Sequence, residues 1–182
     1  DSFRQELEEM IRQLQNCPCI VLWVPFNEGW GQFDAKQITR LVRKLDPPRL
    51  IDHASGWHDQ GVSDVRSLHV YFKPYRFRPD KKGRAVVLSE FGGYNLPVAG
   101  HTWSEKNFGY KGYQTPEALG EAVRKLYETQ IIPARKAGLA ADVYTQLSDV
   151  EDEVNGFVTY DRKEEKLPER LMQAIARELK GE

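Results

Sequence analysis

The chain has 182 residues, a net charge of −1 and 40% hydrophobic residues, the balance of one ordinary globular domain with a sizeable core. Its Lys and Arg residues are interspersed with Asp and Glu, so no bulk field draws nucleic acid or an anionic membrane, and neither is expected as a partner. No apolar run approaches the ~20 residues of a membrane span, and the N-terminus is an acidic amphipathic segment rather than a signal peptide, so a soluble chain is expected.

Ser2 followed by Gln5 reads as a capping box, and Phe3, Leu7, Met10, Ile11 and Leu14 recur at helical spacing, which predicts a first helix to about Gln15. Ile20 to Val24 is a continuous apolar run, as in strands buried on both faces of a parallel sheet. Phe33, Ile38, Leu41, Val42 and Leu45 mark a second helix, stopped by Asp46-Pro47-Pro48. Strands are expected near Leu50 to His53, Ser67 to Phe72 and Ala85 to Ser89, with connections at 54–64 and 73–84 that lack long helices. Thr115-Pro116 opens a further helix through Leu119, Val123, Leu126 and Tyr127, whose far end Pro133 should kink or shorten. Val143 to Leu147 is a fifth strand, and Leu171, Ile175 and Leu179 mark a closing helix. Strands alternating with helices specify an α/β fold with a parallel sheet, in a single domain over 1–182.

Two glutamates follow apolar runs and precede glycine-rich sequence: Glu28 in Asn27-Glu28-Gly29-Trp30-Gly31, and Glu90 in Ser89-Glu90-Phe91-Gly92-Gly93. Carboxylates at strand C-terminal ends sit where α/β folds open a crevice to substrate, and a pair of them fits acid/base chemistry. Cys17 and Cys19 flank Pro18 in a C-x-C spacing that fits structural thiols better than a metal or redox pair. His58 and Asp59 have no ligand triad around them, so no metal and no cofactor is expected.

Trp23-Val24-Pro25-Phe26-Asn27-Glu28 and Ser89-Glu90-Phe91-Gly92-Gly93 resemble the two signatures of glycoside hydrolase family 2, which includes β-galactosidases, β-glucuronidases and β-mannosidases. A third stretch, Tyr144 to Glu151 through Asn155 to Arg162, is similar to the segment ending the catalytic barrel in that family. The resemblance implies a partial (β/α)8 TIM barrel, with the strands here matching the fourth to the eighth. The first three strands and the preceding β-sandwich domains would be missing. It also implies a retaining hydrolase of terminal β-glycosides, β-galactosides first. Alternatives are a barrel that binds carbohydrate without cleaving it and a fragment inactive by itself.

Under this resemblance Glu28 is the acid/base and Glu90 the nucleophile. Asn27 contacts the sugar 2-hydroxyl and Tyr71 hydrogen-bonds the nucleophile. His69, two residues before Tyr71 on the same strand face, is a further substrate-binding candidate, as are His53, Tyr144 and Trp30. Tyr144 stands where better-known relatives often carry tryptophan. Trp57 and Trp103 also fall in loops on the strand edge that carries the glutamates, where aromatic faces could stack on sugar. Carbohydrate is the expected partner, with self-association through strand edges left open by an incomplete barrel.

Overall fold

The computed structural model describes residues 1–181, and the fold is α/β. The chain divides into two units: residues 1–69 with 79–89, and residues 70–78 with those from 90 onward.

In the first unit, helix α1 (Ser2–Leu14) and helix α2 (Ala35–Leu45) carry the stripes that their spacing predicts. Leu7 and Ile11 of α1 and Ala35, Ile38 and Val42 of α2 share one core with Trp23, Phe26, Ile51 and Ala54. Each fully buried large apolar side chain contributes about 1.5–3 kcal/mol. The expected capping box does not form, because the helix begins one residue earlier. Asp1 is the N-cap without a side-chain bond, and the Ser2 hydroxyl donates to Glu6 at 2.8 Å.

The first apolar run yields only a short strand, β1 (Leu22–Trp23), and a second, β2 (Phe26–Asn27), follows beyond it. Pro25 between them has no N–H and restricts Val24, so the ladder breaks there. The partner run breaks in step: β1 pairs in parallel with β3 (Leu50–Ile51), and β2 with β4 (Ala54–Ser55). The second pairing puts Asn27 opposite Ser55.

Strand β5 (Val65–Val70) alternates strictly, burying Val65, Ser67 and His69. It neighbours β6 (Ala85–Gly92), and the chain passes into the second unit after His69 in β5 and after Ser89 in β6. No helix interrupts 54–64 or 73–84, as expected. These loops are tied within the first unit by Arg84, which bonds both Asp59 and Asp80, at 2.7 and 3.0 Å.

In the second unit, β7 (Tyr94–Asn95) pairs in parallel with β8 (Lys111–Gly112), a short ladder that no periodicity announces. Helix α3 (Pro116–Leu126) starts as predicted, with the Ala118 N–H donating to the Thr115 hydroxyl at 3.2 Å and Pro116 in the first turn. Ahead of Pro133, where a kinked or shortened end was expected, α3 stops at Leu126. A π-turn (Tyr127–Ile131) passes the chain into α4 (Ile132–Ala137), leaving Pro133 in the first turn of a new α segment, where its missing N–H is not needed. Strand β9 (Ala141–Thr145) begins two residues before the predicted run, and α5 (Glu169–Lys180) closes the chain. The segment between them is pinned by a buried ion pair, Lys166 Nζ to Asp149 Oδ1 at 2.7 Å.

Candidate active site

Glu28 stands in the first unit just past β2, with φ of +53°. A non-glycine residue in this left-handed region carries strain of about 1–3 kcal/mol, which persists only where the surroundings hold it and which clusters at functional sites. Here the Glu28 N–H donates to Ser55 O at 2.8 Å, and Gln32 Nε2 donates to the Glu28 carbonyl at 2.9 Å. Gln32 is in turn held by Gln60 at 2.5 Å.

The Glu28 side chain is 15% exposed and lies 2.8 Å from Nδ1 of His69, whose side chain is fully buried. On the other side of that ring, Nε2 is 2.9 Å from the Ser55 hydroxyl, which sits 2.8 Å from the Ser89 hydroxyl. Gly56 lets the ring approach: with φ of +86°, a Cβ there would lie 2.4 Å from the imidazole. The Trp57 indole is tilted against the same ring at 6.3 Å.

In the second unit, the Tyr71 hydroxyl donates to the Glu90 carboxylate in a short hydrogen bond. Thr145 Oγ1 is 2.9 Å from the same phenol oxygen, and since the one phenolic proton goes to Glu90, the threonine donates. Burial first, and then the bond to Glu90, push the Tyr71 phenol far above the usual tyrosine range. Tyr71 therefore stays protonated and remains a donor to the carboxylate at any physiological pH. Its ring stacks on Tyr110 at 3.8 Å, which fixes its direction.

Gly92 answers to a neighbour in the same way as Gly56. It has φ of +86°, and a Cβ would fall 2.2 Å from the Tyr144 ring. That ring stacks on Phe157 at 4.3 Å and meets Phe91 edge-on at 5.5 Å, while its hydroxyl accepts the Tyr94 N–H at 3.3 Å.

The remaining candidates are placed differently. Asn27 and Trp30 are exposed, Trp30 at 82%. Trp103 is exposed and packs against Tyr160 at 5.0 Å. His53 is 1% exposed, with Nε2 accepting the Gln60 N–H at 3.2 Å and Nδ1 bonding Ser63 Oγ at 2.6 Å, so neither ring nitrogen is left to hold a ligand. Burial lowers its basicity and keeps it neutral. Asp59 is taken up by Arg84 and Arg66, and the Arg84 bond holds its carboxyl far below the usual range.

Ser55, Ser89 and Thr145, which contact the groups around the two glutamates, were not anticipated. Ser55 lies 27 positions after Glu28, and only the β2–β4 register brings it near; Ser89 and Thr145 sit on strands whose pattern marks them as half-buried polar residues and nothing more.

The family model for glycosyl hydrolases family 2, TIM barrel domain, matches residues 2–174. The chain belongs to glycoside hydrolase family 2. This family 2 chain is also similar in fold to solved structures of low identity. A Faecalibacterium prausnitzii β-glucuronidase matches with a TM-score of 0.61 and 19% identity over 98% of the chain and 34% of that structure. A candidate β-galactosidase of Bacteroides fragilis gives 0.66 and 17%, over 96% of the chain and 30% of that structure. The family 2 β-galacturonidase of Eisenbergiella tayi, bound to galacturonate, gives 0.64 and 16%, over 99% and 37%. The chain thus spans about a third of the length of these structures. No curated protein matches it. The expected partial TIM barrel is the fold of this family 2 domain.

Proposed function

We propose that the chain carries the catalytic pair of a retaining glycoside hydrolase acting on terminal β-glycosides, with Glu28 as acid/base and Glu90 as nucleophile. The observation that carries this reading is the different company of the two carboxyl groups. Glu90 receives a hydrogen bond from a phenol that cannot ionise at physiological pH and so remains a donor to it, as suits a nucleophile. Glu28 instead faces a histidine nitrogen, a group able to give or take a proton, from a strained backbone position.

In the reaction so assigned, Glu90 attacks the anomeric carbon as Glu28 gives its proton to the departing glycosidic oxygen. Water then adds to the glycosyl ester, Glu28 takes its proton, and Glu90 leaves as the carboxylate. Such double displacement requires carboxyl groups about 5–5.5 Å apart. Asn27 is assigned to the sugar 2-hydroxyl, where a hydrogen bond strengthens in the transition state. Trp30, in the loop just beyond Glu28, offers a broad exposed face for the apolar side of a sugar ring.

The names of the structural neighbours divide among glucuronide, galactoside and galacturonide. Galactoside is our first assignment. A panel of nitrophenyl β-glycosides, applied to the protein containing these 182 residues, tests it: preference for the galactoside supports the assignment, and preference for the glucuronide or galacturonide replaces it. Tight sugar binding with no turnover of any member would mark a binding barrel instead.

A further inference from the structure

Behind the Glu28–His69 contact runs a chain of hydroxyls whose directions can be worked out from one end. Ser89 Oγ lies 3.4 Å from the backbone carbonyl of Leu68, a group that can only accept, so the Ser89 proton points there. Ser89 Oγ then accepts from Ser55, 2.8 Å away, which uses the single Ser55 proton. Ser55 Oγ has only acceptor capacity left toward His69 Nε2, 2.9 Å away, so that nitrogen carries a hydrogen and donates it. A neutral imidazole protonated on Nε2 presents Nδ1 without a hydrogen, and Glu28 Oε1 faces that nitrogen at 2.8 Å.

Two acceptors do not hold each other at this distance. One proton must lie between them, either on Glu28 as a carboxylic acid bonded to neutral imidazole or on Nδ1 as imidazolium bonded to carboxylate. We infer that Ser89 and Ser55 are positioning residues for the proton donor: their hydroxyls fix His69 with its hydrogen on Nε2, and so hold a further proton between Nδ1 and Glu28 Oε1. The opposite arrangement, with the hydroxyls reversed and the hydrogen on Nδ1, would give Glu28 a donor and favour its base form. The direction of two serine hydroxyls therefore decides whether the Glu28–His69 pair holds a second proton, the one available to a leaving group. This assignment rests on Glu28 being the acid/base residue, while the arrangement of the ring does not.

The experiment reads both. Nitrogen-15 NMR of the imidazole rings distinguishes protonated from bare nitrogens in the 182-residue chain itself. In the unaltered chain, His69 Nε2 is expected to be protonated. In Ser89→Ala, Ser55 loses its acceptor and turns its proton to Nε2, so the ring hydrogen should move to Nδ1. Ser89→Thr, which keeps a hydroxyl, should restore the original pattern. If Ser89→Ala does not fold, Ser55→Ala removes the Nε2 partner from the other side and should likewise end the preference for Nε2. A bare Nε2 in the unaltered chain, or a ring pattern unmoved by the folded variant, overturns the inference.

Kinetics in the protein containing this chain supply the second readout. General acid catalysis contributes about 10²–10⁴-fold, so Ser89→Ala should lower turnover of an alkyl glycoside at least ~10-fold while leaving a dinitrophenyl glycoside, which departs without a proton, within about twofold. Equal losses on both substrates would count against the positioning role. Absence of turnover in every version, with the ring pattern as described, would remove the hydrolase reading and leave the hydroxyl chain standing.

Discussion

Lys166→Met tests the packing of the second unit. The side chains of Lys166 and Asp149 are both 0% exposed, with Nζ 2.7 Å from Oδ1 and 2.9 Å from the Val154 carbonyl. Asp149 Oδ1 also accepts the Gly156 N–H at 2.8 Å. Asp149 Oδ2 is buried without a partner among the described residues, so the carboxylate has little left to stabilise it once the ammonium is gone. Methionine fills nearly the same volume, which limits the cavity cost and isolates the charge. Removing one member of a buried pair costs about 3–5 kcal/mol, against a total domain stability of about 5–15 kcal/mol. With a urea m-value of about 2 kcal/mol/M, the midpoint should fall by about 1.5–2.5 M, followed by far-ultraviolet circular dichroism. Lys163→Met, at a lysine 73% exposed, is the control and should shift it little. Converting both partners, Lys166→Met with Asp149→Leu, should recover more than half of the loss, short of full recovery because the Gly156 N–H then lacks its acceptor. A single variant indistinguishable from the control, or a double variant as damaged as the sum of the two singles, would refute the claim that the pair is coupled.

Three further outcomes follow from the same structure. Tyr71→Phe removes a hydrogen bond to a charged group worth about 1.5–3 kcal/mol, so kcat/KM in the protein containing this chain should fall about 10–150-fold with the fold unchanged by circular dichroism. An unchanged rate would detach Tyr71 from the role proposed for Glu90. Arg84 holds Asp80, and His101 holds Asp161, each with the carboxyl down at about 2. A folded value below the unfolded ~3.9 means stability fully present above pH ~4 and lost as pH falls toward about 2; Asp80→Asn should flatten that acid limb, and an unaltered limb would contradict the assignment. Gly92→Ala sets a Cβ 2.2 Å from the Tyr144 ring at φ of +86°, and should cost at least about 1–3 kcal/mol in urea unfolding.

Much of this arrangement could be read from residues alone, and what could not has identifiable causes. Helices α1, α2, α3 and α5 were legible because a period near 3.6 survives in Leu7 and Ile11, or in Ile38 and Val42, whatever packs against them. Strand β2 was less so. The apolar run stops at Val24, and nothing in its pattern announces that pairing resumes beyond Pro25 at Phe26 and Asn27. Pro133 signalled a kinked or shortened helix end, but periodicity cannot foresee that the interruption is a π-turn that re-phases the helix ahead of the proline. Glu28, Glu90 and Tyr71 stood out through short motifs, and each has a dedicated contact. Ser55 and Thr145 did not, since strand register and side-chain approach are properties of the folded chain. His53 shows the converse: a strand-end histidine looks functional in sequence until both its nitrogens are found bonded to Ser63 and Gln60. Lys166 was silent because an isolated lysine ordinarily faces solvent, and nothing local signals an aspartate 17 residues away.

The proposed division of labour between the two glutamates is tested most directly by replacing Glu90, the proposed nucleophile. In the protein containing this chain, Glu90→Ala should abolish hydrolysis of the preferred nitrophenyl β-glycoside, and added azide should restore turnover by entering the vacated position, giving a glycosyl azide of inverted configuration. Hydrolysis undiminished by Glu90→Ala would contradict the account.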